Sequence, residues 1–273
     1  MQTMIPKLTI TFMAISALIG LAVPAALYVY NRKKLKANHL PFWVGCVTFV
    51  LFALVLEQLM YTFLMKTPFW MTISTNIWMM GIVGGFFAGL FEETGRFLAF
   101  NTILRKKRGN YANGLMYGAG HGGIEAIILL SVTMIMNVVL SLQYNAGNTL
   151  VFGSEAVAQQ LIDTPTWYYL VGAVERIAAV TIHISLSVLV WFAAKNSKRF
   201  WFFPLAILLH LLVDAVAVIL NGLGVNVWII EGVVYVMAIA LVLLAIVVWK
   251  KNHVTEPELT EETPAATEIE AQA

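Results

Sequence analysis

Four short stretches of this sequence carry residues that could do chemistry: Glu92-Glu93-Thr94-Gly95-Arg96, His121-Gly122-Gly123-Ile124-Glu125, Glu175-Arg176 followed by His183, and His210-Leu211-Leu212-Val213-Asp214. Each sits inside an otherwise apolar run. An ionisable group near the centre of a bilayer costs on the order of 2.5–3.5 kcal/mol on insertion scales, and such groups persist where they pair or work. Glu92, Glu93, Arg96, Glu125, Glu175, Arg176 and Asp214 are all charged in their reference states, and taken singly they would cost about 20 kcal/mol. Their spacing shows how they are gathered. Glu92 and Arg96, His121 and Glu125, and His210 and Asp214 are each four residues apart, and Arg176 and His183 are seven apart, so each set shares one helix face. Five carboxylates against two arginines leave a negative excess that a buried site offsets by taking up protons, a cation, or both.

Two chemistries use such a set. His121, His183 and His210, with carboxylates beside them, could coordinate a divalent transition metal, zinc above all, leaving one position for water. The HExxH pattern of soluble zinc proteases is absent. Without a metal, a buried glutamate beside a histidine could act as general base on a water, with a second histidine backed by Asp214 donating to the developing oxyanion. Either route activates water within a membrane and points to hydrolysis. The expected catalytic set is Glu92, Glu93, Arg96, His121, Glu125, Glu175, Arg176, His210 and Asp214, and the expected metal set is His121, His183 and His210.

The elements that must position these residues are membrane spans. Of 273 residues 60% are hydrophobic and only 12% charged, where a soluble domain carries about 25% charged. That excludes aqueous globular folds and nucleic-acid readers. Spanning the hydrocarbon takes about 20 apolar residues, and seven stretches qualify, roughly 8–30, 41–64, 73–103, 113–141, 166–193, 201–221 and 227–249. The expected fold is an all-α polytopic bundle of about seven transmembrane helices over 1–251, in the cell membrane. Basic residues concentrate in alternate connections, at Arg32–Lys36, Arg105–Arg108, Lys195–Arg199 and Lys250–Lys251, which predicts an outside N-terminus and a cytoplasmic C-terminus. Residues 252–273, with six glutamates beyond residue 255, read as a disordered acidic tail. The connection at about 143–165 is expected to hold a short helix near Glu155–Ile162.

Counted inward from the basic loops, Glu92, His121, His183, His210 and Asp214 all lie about 15–21 Å deep, a shared depth that unrelated ion pairs have no reason to adopt. Gly81, Gly85 and Gly89 line one face of the third span, and the segment from Tyr117 to Gly123 is nearly without bulk, which predicts close helix packing. Glu57 and Glu231 read as structural, and Cys46, the single cysteine, as a small hydrophobe, either buried or lipid-facing.

In order, and each in its own span, the four motifs resemble those of the YhfC-type intramembrane proteases, a family distantly similar to the CAAX prenyl endopeptidase and bacteriocin-processing proteins and to the PrsW-type proteases. The resemblance covers about residues 8–249. It implies a polytopic peptidase of metallo- or glutamic type acting on a membrane-embedded or lipid-anchored polypeptide. It further implies that Glu92 or Glu93 activates water with His121, that His210 and Asp214 stabilise the oxyanion or hold the metal, and that Arg96 orients the glutamates. Two residues, where the prenyl proteases have three, separate the glutamate pair from Arg96, and His183 and Glu125 enlarge the ligand set. A proton- or ion-coupled transporter would use the same groups as a relay, and a scaffold or immunity protein would use them for assembly. Transporters commonly carry internal repeats and paired broken helices, and neither is evident here.

Overall fold

A computed structural model describes residues 4–253. The elements are α1 (Lys7–Lys33), α2 (Leu40–Leu64), α3 (Pro68–Ser74), α4 (Ile77–Asn101), α5 (Ala112–Asn145), α6 (Glu155–Asp163), α7 (Val171–Lys195), α8 (Phe202–Gly222) and α9 (Val227–His253). Helix is the only regular structure among the described residues, as the bilayer demands of any span that must satisfy its own backbone. Six helices are long and apolar enough to cross a membrane, seven when α3 and α4 are taken as one bent span. The protein is a multi-pass membrane protein. The acidic tail lies outside the described residues, apart from Asn252 and His253, which continue α9.

One boundary differs from the sequence reading. The third span was expected from about residue 73, but α3 and α4 meet at 110°. The helix that carries the glutamates starts afresh at Asn76, whose side chain accepts from the amides of Trp78 and Met79 at 3.0 and 3.2 Å, a local N-cap. Pro68 opens α3, where its fixed φ and missing amide suit a first turn. In the long connection after α5, the expected short helix is present as α6.

The core is organised around α7. Inside the protein, 72% of its apolar window is buried, against 22–50% for the other five long spans. Helices α4, α5, α8 and α9 pack around it, and α1 and α2 close the far side of α5. The glycines set how closely these helices approach. A Cβ on Gly85 would lie 2.5 Å from the Leu211 carbonyl oxygen, and one on Gly89 would lie 2.7 Å from that of Ile207, so α4 and α8 touch backbone to backbone. On α5, a Cβ on Gly118 would lie 2.6 Å from Ile184 Cα of α7, and one on Gly123 would lie 2.6 Å from Pro24 of α1. The small-residue pattern is therefore a packing device. It also places chemistry, because Gly89 rests against His210 Cβ and Gly122 against His183 Cβ.

Two stretches, Val50–Glu57 in α2 and Ala126–Val132 in α5, are π-helical. The second begins directly after Glu125 and the first ends on Glu57, so a widened turn adjoins a buried carboxylate in each case. Such turns recur at functional sites, and residue spacing gives no sign of them.

Gly85 and Gly84 supply a contrast within one helix. Gly85→Ala should cost about 1–3 kcal/mol as α4 and α8 are forced apart. Gly84→Ala, whose Cβ would meet only Tyr61 Oη at 3.6 Å, should be neutral or slightly stabilising. Thermal unfolding of the two purified variants in the same detergent measures the difference.

Candidate active site

Four helices deliver the polar groups to one place: Glu92, Glu93 and Arg96 from α4, His121 and Glu125 from α5, Glu175, Arg176 and His183 from α7, and His210 and Asp214 from α8. All ten residues expected from the sequence belong to a single connected network. The partners, however, lie across helices more often than the four-residue spacing suggests.

At the closed end are Glu93 and Arg96, neither with any exposed surface. Arg96 Nη1 donates to both Glu93 oxygens, at 2.8 and 2.7 Å, and Nη2 lies 3.2 Å from His183 Nδ1. Arg96 thus bonds Glu93, three residues back, rather than Glu92. Glu93 Oε1 also meets His210 Nδ1 at 2.9 Å, which places that ring's proton on Nδ1 and turns the Nε2 lone pair toward Asp214 Oδ2, 3.4 Å away. With the proton on Nδ1, both of those facing atoms are electron donors, an opposition that a cation or a proton reconciles.

Glu92 is held from α5, with His121 Nε2 at 2.9 Å from its Oε2. The same Glu92 oxygen lies 3.9 Å from His183 Nδ1. On its other side, His183 Nε2 approaches Glu125 Oε2 at 2.6 Å, while Arg176 donates to Glu125 Oε1 and to Glu175 Oε1. Two histidines therefore each have a carboxylate behind them: Glu93 behind His210 and Glu125 behind His183. This is the outer arrangement that orients imidazoles toward a metal.

The groups surround a cavity of about 100 Å³ lined by Glu92, Glu125, Glu175, Arg176, His183, His210 and Asp214 among others. Exposure rises toward its opening, where the Asp214 and Glu175 side chains are 36% and 42% exposed. Within the described residues, Glu92, His183 and His210 each offer a ligand atom, all within 4.8 Å of one another. Two imidazoles and a carboxylate, buried and pre-oriented, suit a divalent transition metal. The sequence reading placed His121 in that set. The structure groups Glu92 with His183 and His210, and places His121 beside Glu92, its Nδ1 buried without a hydrogen-bond partner. Counting histidines alone does not bring Glu92 into that group. The doubled glutamate was the available signal, since Arg96 can neutralise only one of the pair.

The model of the YhfC intramembrane metalloprotease family matches residues 19–234. The chain belongs to that family. It is also 34% identical over 234 residues to the uncharacterized membrane protein YhfC of Bacillus subtilis strain 168, covering 79% of this chain and 86% of that protein. No solved structure matches it. The matched region contains every residue of the network described above.

Arg96 and Glu93 can be tested as a unit. Arg96→Met leaves a bare carboxylate in the closed end and should destabilise the protein by about 3–5 kcal/mol. Adding Glu93→Gln to that variant should recover a large part of the loss, because the amide removes the uncompensated charge. A double-mutant cycle on thermal unfolding reads the coupling.

Proposed function

We propose that this protein is an intramembrane metallopeptidase that hydrolyses a membrane-embedded or lipid-anchored polypeptide, with Glu92, His183 and His210 holding a divalent metal, most naturally zinc. The observation that carries this is the convergence of those three donors in a buried cavity, each backed by a partner that fixes its orientation. Family membership supports the same reading. The chemistry a bound divalent metal supplies is a water made acidic enough to attack at neutral pH, together with polarisation of the substrate carbonyl.

The remaining roles follow from the contacts. Glu93 keeps the His210 proton on Nδ1 and so leaves Nε2 as a donor to the cavity, while Arg96 cancels the charge of Glu93 and prevents it from competing as a ligand. Glu125, 2.6 Å from His183 Nε2, favours a proton on that nitrogen, so that Nδ1, 3.9 Å from Glu92, would become the donor once it releases Arg96. Arg176 neutralises Glu125 and fixes its position. His121 holds Glu92 from the opposite side, which limits the carboxylate to one orientation.

Asp214 is the carboxylate best placed to move protons. Glu93 is bonded to Arg96, Glu125 and Glu175 to Arg176, and Glu92 to His121. Among the described residues Asp214 has the 3.4 Å approach of His210 as its one close polar contact, and it lies at the opening where a substrate amide would arrive. Its Oδ2 would accept the proton of the attacking water and return it to the departing amine, the general-base and general-acid duties of a peptidase. The doubled glutamate thereby divides into a ligand, Glu92, and an orienting group, Glu93.

Metal content and cleavage should separate in the variants. Glu92→Gln, His183→Ala and His210→Ala should each lose the metal measured by mass spectrometry on the purified protein, and with it cleavage of reconstituted single-span peptides. Asp214→Asn should keep the metal and lose about 10²–10⁴-fold in cleavage rate. Undiminished cleavage in protein stripped of metal, or in the His210 variant, would overturn the assignment.

A further inference from the structure

A second cavity, of about 490 Å³, opens at the end of the bundle opposite the Lys- and Arg-rich loops. Its walls come from the start of α7 and the turn before it, the end of α8, and the first turns of α9. Glu175 and Ala217 line both this cavity and the one at the candidate active site, so the two adjoin and the larger is a vestibule to the smaller. Among the described residues Ala217 is the α8 side chain that lines both, and it puts little bulk between them.

The vestibule carries an unspent charge. Glu231, read from the sequence as structural, is only 7% exposed, and its Oε2 has no hydrogen-bond partner. A buried carboxylate oxygen without a partner is costly; Oε2 itself is covered, but the Glu231 side chain lines a space much larger than a water or an ion needs. Glu175, bonded to Arg176 through one oxygen, stands at the inner end, and no Lys or Arg is among the described residues that line the space. Apart from Asn221, the rest of the wall, including Tyr168, Val218, Val227 and Ile230, is apolar or aromatic. A pocket with an apolar stem region and a carboxylate at its far side suits a long cationic side chain, whose methylenes lie along apolar surface while the charged head finds the acid.

The geometry points to a specificity subsite: Glu231, aided by Glu175, receives a Lys or Arg side chain of the polypeptide substrate about two residues from the bond that is cut. The position follows from the helices. Asp214 lies eight residues before the end of α8 and Glu231 four residues after the start of α9, depths of about 12 and 6 Å, and the difference of about 6 Å spans roughly two extended residues. This inference rests on the peptidase reading above.

The test uses the full chain reconstituted in liposomes with single-span peptides that differ only in carrying Lys, Arg, norleucine or Glu at successive positions near one membrane face. Cut sites are mapped by mass spectrometry. Peptides with Lys or Arg two residues from the cut should exceed the norleucine peptide by about tenfold or more in kcat/KM, as expected for a charge-assisted contact. That ratio should fall towards one in Glu231→Gln, and Glu231→Lys should shift the preference to the Glu peptide, a gain that misfolding could not produce. Affinity for the same peptides is measured in Asp214→Asn. Cleavage without basic preference, or a preference unchanged by Glu231→Gln, would overturn the subsite and leave the peptidase reading standing. Tighter binding of the Lys peptide that depends on Glu231, with no peptide cut by the unmodified protein, would keep the subsite and overturn the peptidase reading.

Discussion

The Arg96–Glu93 pair is the interaction on which the rest of the site depends. Both groups are sealed from any solvent, and neither could remain there charged without the other. Once paired, Glu93 has a spare lone pair for the His210 ring, and Arg96 has a second nitrogen for His183. One ion pair on α4 therefore sets the orientation of two imidazoles on two other helices. For His210 that orientation turns the Nε2 lone pair toward the cavity, while the Nδ1 of His183 is held by Arg96.

Such a pair requires helices close enough for short side chains to meet. Glu93 and His210 bond directly at 2.9 Å because α4 and α8 are in backbone contact at Gly85 and Gly89, one and two turns away. On the other side, α5 approaches α7 through Gly118 and Gly122, and His121 and His183 then lie with ring centroids 4.9 Å apart. Bulk at these positions would have to be accommodated by longer polar side chains, which lose more conformational freedom when fixed. Packing by small residues in lipid and pre-organisation of a buried site are thus the same structural fact at different heights along the helices.

Much of this was legible in the sequence because the bilayer restricts what a charge can mean. The span count, the short helix in the long connection, and the gathering of Glu92, His121, His183, His210 and Asp214 at one depth all follow from apolar length and the rarity of charge. The partners were less legible. Spacing on a helix shows which residues share a face, not which face of a neighbour they meet, so Glu92 seemed a partner for Arg96 when the true partner is Glu93. Likewise His121 and Glu125 share a face, yet one turns to α4 and the other to α7. The sequence reading starts the third span at about 73 and leaves most of Pro68–Ser74 in a connection, so it misses both that short helix and its 110° break from α4, and the π-helical turns carry no compositional mark.

Glu231 shows where the single-residue reading was weakest. In sequence it stands alone near the end of a span, a position where a carboxylate commonly reaches the headgroups. Its α9 neighbours instead turn it inward, against the start of α7, and bury it. Within the active-site network every carboxylate has a cationic or imidazole partner, which is what burial demands. Glu231 has no such partner among the described residues, and it lines the cavity that adjoins that network. On the proposed peptidase reading, the group that completes the charge balance comes from the substrate.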